Sequence, residues 1–213
     1  MTEPTRLFAL RHGQTAWNAE QRIQGQLDIP LDDTGRWQAA QLAQALASEN
    51  LAAIYSSDLA RARATADPLA LATGLTVQTD IALRERAFGV FEGETYRDIE
   101  TRWPVDAARW RRRELDFGPG GGESLTVFSA RCVGALAQLA ARHKGQAIAV
   151  VAHGGVLDCL YRAAVGIDLG ASRTWQLGNA RINRLLFNGE GFVVVGWNDD
   201  SHLAGQLLSP SSA

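Results

Sequence analysis

Three apolar runs predict buried strands. They cover residues 6–10, 51–56 and 147–152, and polar or glycine-containing segments bound each of them. Two weaker strand patterns lie at 76–79 and 192–195. Apolar residues recur at helical spacing over about residues 34–46, 58–69, 124–143 and 156–165. Strands that alternate with helices predict an α/β fold: a mostly parallel central sheet with helices on both faces.

Local signals refine two of these helices. Asp58 is expected to cap the second one, and Pro68 to bend or end it. Ser124 opens the third, and Gly145 follows its end as a stop signal. The tail SPSSA, residues 209–213, is expected to be disordered.

The segment from about residue 95 to 122 has a different character. It holds two tryptophans, three consecutive arginines at Arg111–Arg113, and a run rich in glycine at 118–122. We predict a small helical insertion over the active site, closed by a flexible loop. Because no repeat or long linker divides the chain, residues 1–213 are expected to form a single domain.

Composition excludes several classes of function. A net charge of -2 argues against a nucleic-acid binder. No run of 18 apolar residues and no signal peptide is found, so we expect no membrane partner and a cytoplasmic location. Cys132 and Cys159 lie in apolar, helix-like stretches and are interpreted as buried small hydrophobic residues rather than redox thiols.

Chemically active residues follow the predicted strands. Ligands of parallel α/β sheets bind at the carboxyl ends of the strands. The first strand runs into Arg11, His12 and Gly13, and the last buried one into His153 and Gly154. A neutral imidazole such as His12 can accept a phosphoryl group if a strand-end carbonyl holds its other nitrogen. Arg11 offers a fork for phosphate oxygens, and Gly13 is expected to leave its amide open to the ligand.

Two further residues fit phosphate chemistry. Arg61 lies early in a helix, where the dipole disfavours a cation, so we interpret it as an anion ligand; the alternative is an exposed arginine paired with Asp58. Glu85 is a candidate proton donor to a leaving group. Spacing alone does not separate it from Glu92 or Glu94.

Together these segments resemble the histidine phosphatase superfamily, in the branch that contains the cofactor-dependent phosphoglycerate mutases. The resemblance extends over about residues 6 to 160, in family order. The matching residues are Arg11 to Thr15, Trp17-Asn18, Ile23 to Gly25, Pro30-Leu31, Ser56 to Leu59, Arg61-Ala62, Thr65-Ala66, Glu85, Gly89, Glu92-Gly93, Gly122 to Ser124, and Val151 to Gly154.

The resemblance implies a role for each matched residue. His12 is the implied phosphoryl acceptor, and Glu85 the general acid that then acts as base toward water. Arg11, Arg61 and a protonated His153 are the implied phosphate clamp. The remaining implied substrate-binding residues are Gly13, Asn18, Gln24, Gly25 and Gly154. No metal and no other cofactor is implied, because these cations can neutralise the phosphate.

Three functions are weighed on this basis. We expect a phosphatase acting on a small phosphorylated metabolite, as a monomer or homodimer, with water as acceptor. The alternative is a cofactor-dependent phosphoglycerate mutase, although such mutases tend to have a tyrosine near Phe88 and a lysine near Tyr96. A non-catalytic phosphate-binding protein is disfavoured, because His12, Glu85 and His153 are all present. Arg111–Arg113 either bind an acidic substrate or form a solvated helix face.

Overall fold

A computed structural model describes residues 3–208, and a six-stranded sheet lies at its centre. The strand order is β3-β2-β4-β1-β5-β6. The strands are β1 (Thr5–Arg11), β2 (Leu51–Ser56), β3 (Val77–Thr79), β4 (Ala147–Ala152), β5 (Ile182–Phe187) and β6 (Phe192–Asp199).

The first four strands of that order are parallel. β5 is antiparallel to β1, and β6 is antiparallel to β5, so β6 runs in the same direction as the first four. In the pairing of β1 with β4, Arg11 lies opposite Ala152. The residues that follow, His12 and His153, therefore leave the sheet side by side. The predicted fold class, an α/β fold with a mostly parallel sheet, is confirmed.

Helices cover both faces of this sheet. Those in the described range are α1 (Ala16–Ala19), α2 (Asp33–Leu46), α3 (Ala60–Thr73), α4 (Tyr96–Arg102), α5 (Pro104–Arg111), α6 (Leu125–Ala141) and α7 (Gly154–Val165). One apolar core joins α6 and α7 to the sheet, and a second joins α2 and α3 to its other face. Every residue of β4 is buried, as expected for a strand covered on both sides.

The helical segment predicted at about 95–122 contains α4, α5 and a glycine-rich loop. A third, smaller apolar cluster holds these helices together around Phe91, Ile99, Ala107 and Phe117. None of the helices in residues 3–208 is long and apolar enough to cross a lipid bilayer.

Two local predictions were wrong. Asp58 does not cap α3, whose N-cap is Leu59 without a side-chain hydrogen bond; the Asp58 carboxylate instead binds the Arg84 guanidinium, with Oδ1 2.7 Å from Nε. Pro68 does not end α3, which continues to Thr73, so that part of the prediction for Pro68 was wrong. The disordered tail predicted at 209–213 lies outside the described residues.

Candidate active site

A cavity of about 730 Å³ opens at the carboxyl ends of β1 and β4. Most of the residues predicted from the sequence line it: Arg11, His12, Asn18, Gln24, Gly25, Arg61, Glu85 and Gly154. His153 is fully buried beside His12, with the two ring centroids 5.2 Å apart. Gly13 does not line the cavity, although its carbonyl oxygen contacts the His12 ring.

His12 is oriented by the chain that carries it. Its backbone N–H continues the β1–β4 ladder by donating to the Ala152 carbonyl at 3.0 Å. Its Nδ1 lies 2.7 Å from the Gly13 carbonyl oxygen, which can only accept, so Nδ1 carries the proton. Nε2 is then the basic nitrogen, and no group in residues 3–208 donates to it. This is the tautomer that a nucleophilic imidazole requires.

The surroundings of both imidazoles favour the neutral form. Burial lowers the pKa of His12 well below its usual 6.5, and the charges of Arg61 and Arg11 lower it further. Burial also lowers the pKa of His153 well below 6.5, with Arg61, His12 and Arg11 adding to the effect. Burial and two nearby guanidiniums therefore favour the neutral form of His153 in the ligand-free protein, and its protonation beside a bound phosphate stays a prediction.

The two predicted phosphate-binding arginines are held by backbone carbonyls. Arg61, only 1% exposed, donates from its terminal nitrogens to the carbonyls of Gly25 and Leu27, both at 2.7 Å. Arg11 donates to the Leu177 carbonyl. In each arginine Nε is buried and has no partner within the part of the chain that the structure describes. Burial lowers the pKa of Arg61 to about 10, so it stays charged at neutral pH.

The structure separates Glu85 from the other two candidate acids. Glu85 lines the cavity, and backbone amides fix its carboxyl group: Arg86 N–H donates to Oε1 and Gly155 N–H to Oε2, each at 2.9 Å. Glu92 Oε1 accepts from the amides of Phe88 and Gln26, which is a structural role. Glu94 forms an ion pair with Arg102.

The prediction for the Gly13 amide was wrong. Its N–H donates to Thr65 Oγ1 at 3.0 Å and so is not open to a ligand. The glycine is needed for packing instead: a Cβ at Gly13 would lie 2.5 Å from the Gly35 carbonyl oxygen at the start of α2. The close approach of α2 to the strand end, rather than contact with phosphate, therefore explains this glycine.

Asn179 is a contributor that sequence reasoning missed. Its Nδ2 donates to the His12 carbonyl at 3.0 Å and to Asn18 Oδ1 at 3.2 Å. Asn18 Oδ1 also accepts from Thr15, in the capping box that starts α1. Asn179 thus connects the segment after α7 to the nucleophile loop. No sequence pattern marks it, because its role depends on a contact 167 residues away.

An aromatic wall, formed by Phe88, Tyr96 and Trp110, lines another side of the cavity. Tyr96 stacks on Trp110 with ring centroids 5.3 Å apart and planes inclined by 8°. The Phe88 ring meets Trp110 edge-on at 5.9 Å. These rings give the helical insertion a rigid face toward the cavity.

The three consecutive arginines have separate environments. Arg111 lines the cavity and pairs with Glu100, and Arg112 pairs with Glu114 on the surface. Arg113 reaches α7, where it binds Asp158. Because Arg111 and Arg113 both line the cavity, the three arginines are not one solvated face, and their contact with an acidic substrate stays a prediction.

Comparison with known proteins agrees with this geometry. Residues 7–200 match the model of the histidine phosphatase superfamily (branch 1). The chain therefore belongs to the histidine phosphatase superfamily. It is an enzyme of that class, which contains both phosphatases and mutases.

Three relatives show this range. The chain is 41% identical to phosphoglycerate mutase-like protein 4 of Arabidopsis thaliana, covering 92% of this chain and 86% of the relative. It is 35% identical to a metal-independent phosphoserine phosphatase of the same plant, covering 95% and 85%. The structure of mycobacterial glucosyl-3-phosphoglycerate phosphatase with VO3 matches with a TM-score of 0.80 and 36% identity, covering 92% of this chain and 99% of that one.

Proposed function

We propose that this enzyme is a metal-independent phosphatase that hydrolyses small phosphomonoesters through a phosphohistidine on His12. The observation that carries the proposal is the hydrogen bond from His12 Nδ1–H to the Gly13 carbonyl, which leaves Nε2 basic inside a cavity with two buried arginines. The names of the relatives, which include phosphatases of phosphoserine and of glucosyl-3-phosphoglycerate, support the same reaction.

In the first step, His12 Nε2 attacks the phosphorus atom. The bond between phosphorus and the ester oxygen breaks, and Glu85 gives its proton to that oxygen so that the leaving group departs as an alcohol. Arg11 and Arg61 stabilise the charge on the three equatorial phosphoryl oxygens. Neutral His153 contributes a hydrogen-bond donor rather than a full charge.

In the second step, water replaces the alcohol. The Glu85 carboxylate takes a proton from water as its oxygen attacks phosphorus, and the bond from phosphorus to Nε2 breaks. The amides of Arg86 and Gly155 keep the carboxyl group in place during both steps. Inorganic phosphate then leaves, and Glu85 is protonated again.

The alternative is a mutase, in which a hydroxyl of a bound phosphoglycerate takes the phosphoryl group. The name of the Arabidopsis relative at 41% identity favours this candidate. Against it, Tyr96 stands near the position where such mutases carry a lysine, and its ring is committed to the stack on Trp110. We therefore infer that water is the preferred acceptor.

The test is a labelling experiment with ³²P-phosphomonoesters. Wild-type enzyme should form an acid-labile phosphoenzyme and release phosphate without a bisphosphoglycerate primer. His12→Ala should do neither, while His143→Gln, a control at the far end of α6, should do both. Labelling that survives in His12→Ala would exclude the proposed nucleophile, and isomerisation of phosphoglycerate faster than phosphate release would favour the mutase.

A further inference from the structure

Asp158 on α7 is a second carboxylate in the wall of the active-site cavity. Its side chain is 7% exposed, and its two oxygens have different surroundings. Oδ2 accepts from Arg113 at 2.8 Å and from Arg162 Nε at 3.0 Å. Oδ1 is buried and accepts from no group in residues 3–208.

An unpartnered carboxylate oxygen in a buried position is costly, and a hydrogen-bond donor from a ligand would remove that cost. The protein has already neutralised the charge of this carboxylate with two guanidiniums. What remains at Oδ1 is the capacity to accept a hydrogen bond, shielded from bulk water. Such a group discriminates strongly between a ligand that offers a donor and one that does not.

The position of Asp158 relates this acceptor to the leaving group. Gly155, whose amide holds the Glu85 carboxyl group at 2.9 Å, lies three residues earlier on α7. Residues three apart share a helix face and are separated by about 4.5 Å along the axis. A substrate donor that reaches Asp158 therefore belongs to the alcohol, close to the ester oxygen that Glu85 protonates.

The charges around the cavity decide which donor fits. Glu85 and Asp158 are its lining carboxylates in the described range, against seven lining arginines: Arg11, Arg22, Arg61, Arg86, Arg111, Arg113 and Arg173. With Arg113 and Arg162 on one carboxylate, the surroundings of Asp158 carry a net positive charge. An ammonium group would be repelled there, whereas a neutral hydroxyl donates without that cost.

We propose that Asp158 is a specificity-determining residue whose Oδ1 accepts a hydrogen bond from a hydroxyl on the carbon next to the ester carbon, so that the enzyme prefers hydroxylated phosphomonoesters to amino-alcohol phosphates. This inference rests on the proposed phosphatase function. It distinguishes the enzyme from its phosphoserine phosphatase relative, whose named substrate has an ammonium group at that carbon.

Three probes of matched shape test the proposal. 3-Phosphoglycerate has a hydroxyl at the carbon in question, phosphoserine an ammonium group, and 3-phosphonooxypropanoate only hydrogen. For wild-type enzyme, kcat/KM for phosphate release should be about tenfold to a hundredfold higher with the hydroxyl than with either of the others, as expected for a hydrogen bond to a charged group. Equal rates, or a preference for phosphoserine, would overturn the assignment.

Variants then test whether the preference for 3-phosphoglycerate depends on Asp158. Asp158→Leu should abolish the preference by lowering the rate with 3-phosphoglycerate. Because this change leaves buried guanidiniums unpaired, the double variant Asp158→Leu/Arg162→Met provides an apolar replacement that should fold. Glu190→Gln, a charge change on an exposed turn, is the matched control and should keep the preference. A preference that persists in the folded double variant would exclude Asp158.

The two proposals fail in different ways. p-Nitrophenyl phosphate, which has no such hydroxyl, serves as the reference substrate. If p-nitrophenyl phosphate labels His12 and releases phosphate, but kcat/KM is the same for the three probes, only the assignment of Asp158 is wrong. If neither p-nitrophenyl phosphate nor any of the three probes labels His12, the proposed phosphatase mechanism is wrong, and the assignment of Asp158 is wrong with it.

Discussion

His12 and His153 lie with their ring centroids 5.2 Å apart and their planes inclined by 56°, at the ends of two strands paired side by side. Burial disfavours a charge on either of these two imidazoles and lowers the pKa of each. Arg61 and Arg11 reinforce that state. The neutral pair is therefore a property of the folded protein, and it makes folding depend on pH.

We predict that the enzyme loses stability as pH falls below about 6.5. In the unfolded chain both histidines take up protons near that pH, whereas in the folded state their pKa values are lowered, so protons favour unfolding. Each histidine contributes up to about 1.4 kcal/mol per pH unit until its folded-state pKa is reached. Above pH 6.5 neither contributes.

Urea denaturation at pH 5.5 and 7.0 measures this effect. His153→Gln should show a smaller difference in unfolding free energy between the two pH values than wild type. The same difference in both proteins would contradict the linkage.

We predict that Glu85→Gln slows reaction with alkyl phosphates far more than with p-nitrophenyl phosphate. An alkoxide is a poor leaving group that needs a proton, whereas nitrophenolate hardly does. General acid catalysis is worth about a hundred- to ten-thousand-fold, so the loss with alkyl esters should fall in that range. Pre-steady-state kinetics should also show phosphoenzyme accumulating with the aryl ester, because the base for water attack is missing.

Glu92→Gln is the control for this experiment. Its carboxylate accepts from backbone amides away from the reacting atoms, so the variant should lose stability without changing the ratio of alkyl to aryl rates. Equal losses on both esters in Glu85→Gln would remove Glu85 from the role of acid.

Gly155→Ala should reduce activity as severely as the loss of Glu85. A Cβ at this position would lie 2.2 Å from Glu85 Oε1 and 3.1 Å from a ring carbon of Phe128, so the carboxyl group must move. Gly134→Ala is the control: nothing in the described residues lies within 4 Å of its Cβ position on α6, and alanine there should stabilise the protein by up to about 1 kcal/mol. Steady-state rates and melting temperatures check both, and a fully active Gly155→Ala would contradict the assigned geometry.

We predict that excess EDTA leaves phosphate release unchanged. Arg11 and Arg61 carry guanidinium groups, which stay protonated at neutral pH, and provide the positive charge that a metal ion supplies in other phosphatases. The measurement is the initial rate after extended dialysis against chelator. Loss of activity that Mg²⁺ or Zn²⁺ restores would overturn the proposed mechanism.

The sequence predicted β1, β2 and β4 well because these strands contain continuous apolar runs, a pattern typical of strands covered on both faces of a sheet. The antiparallel strand β5 was missed. Its residues Asn183 and Arg184 interrupt the apolar pattern, and both are satisfied by distant partners, Ala9 and Asp199 respectively. A local pattern does not record such pairings.

The sequence identified His12 and His153 as site residues because each reactive side chain directly follows a predicted buried strand. Choosing Glu85 over Glu92 needed the structure, because the difference lies in which carboxylate reaches the cavity and not in spacing. Asp158 was not detected at all: in sequence it is one polar residue in an apolar helix. The contact that distinguishes Asp158 is its hydrogen bond from Arg113, 45 residues earlier in the chain.

The arginine anchors have a consequence for affinity. Arg61 is tied to the carbonyls of Gly25 and Leu27, and Arg11 to that of Leu177. Each anchor belongs to a loop, so the aim of the two guanidiniums depends on two segments 150 residues apart in the chain. A substitution that displaces either loop would weaken anion binding without touching the anion.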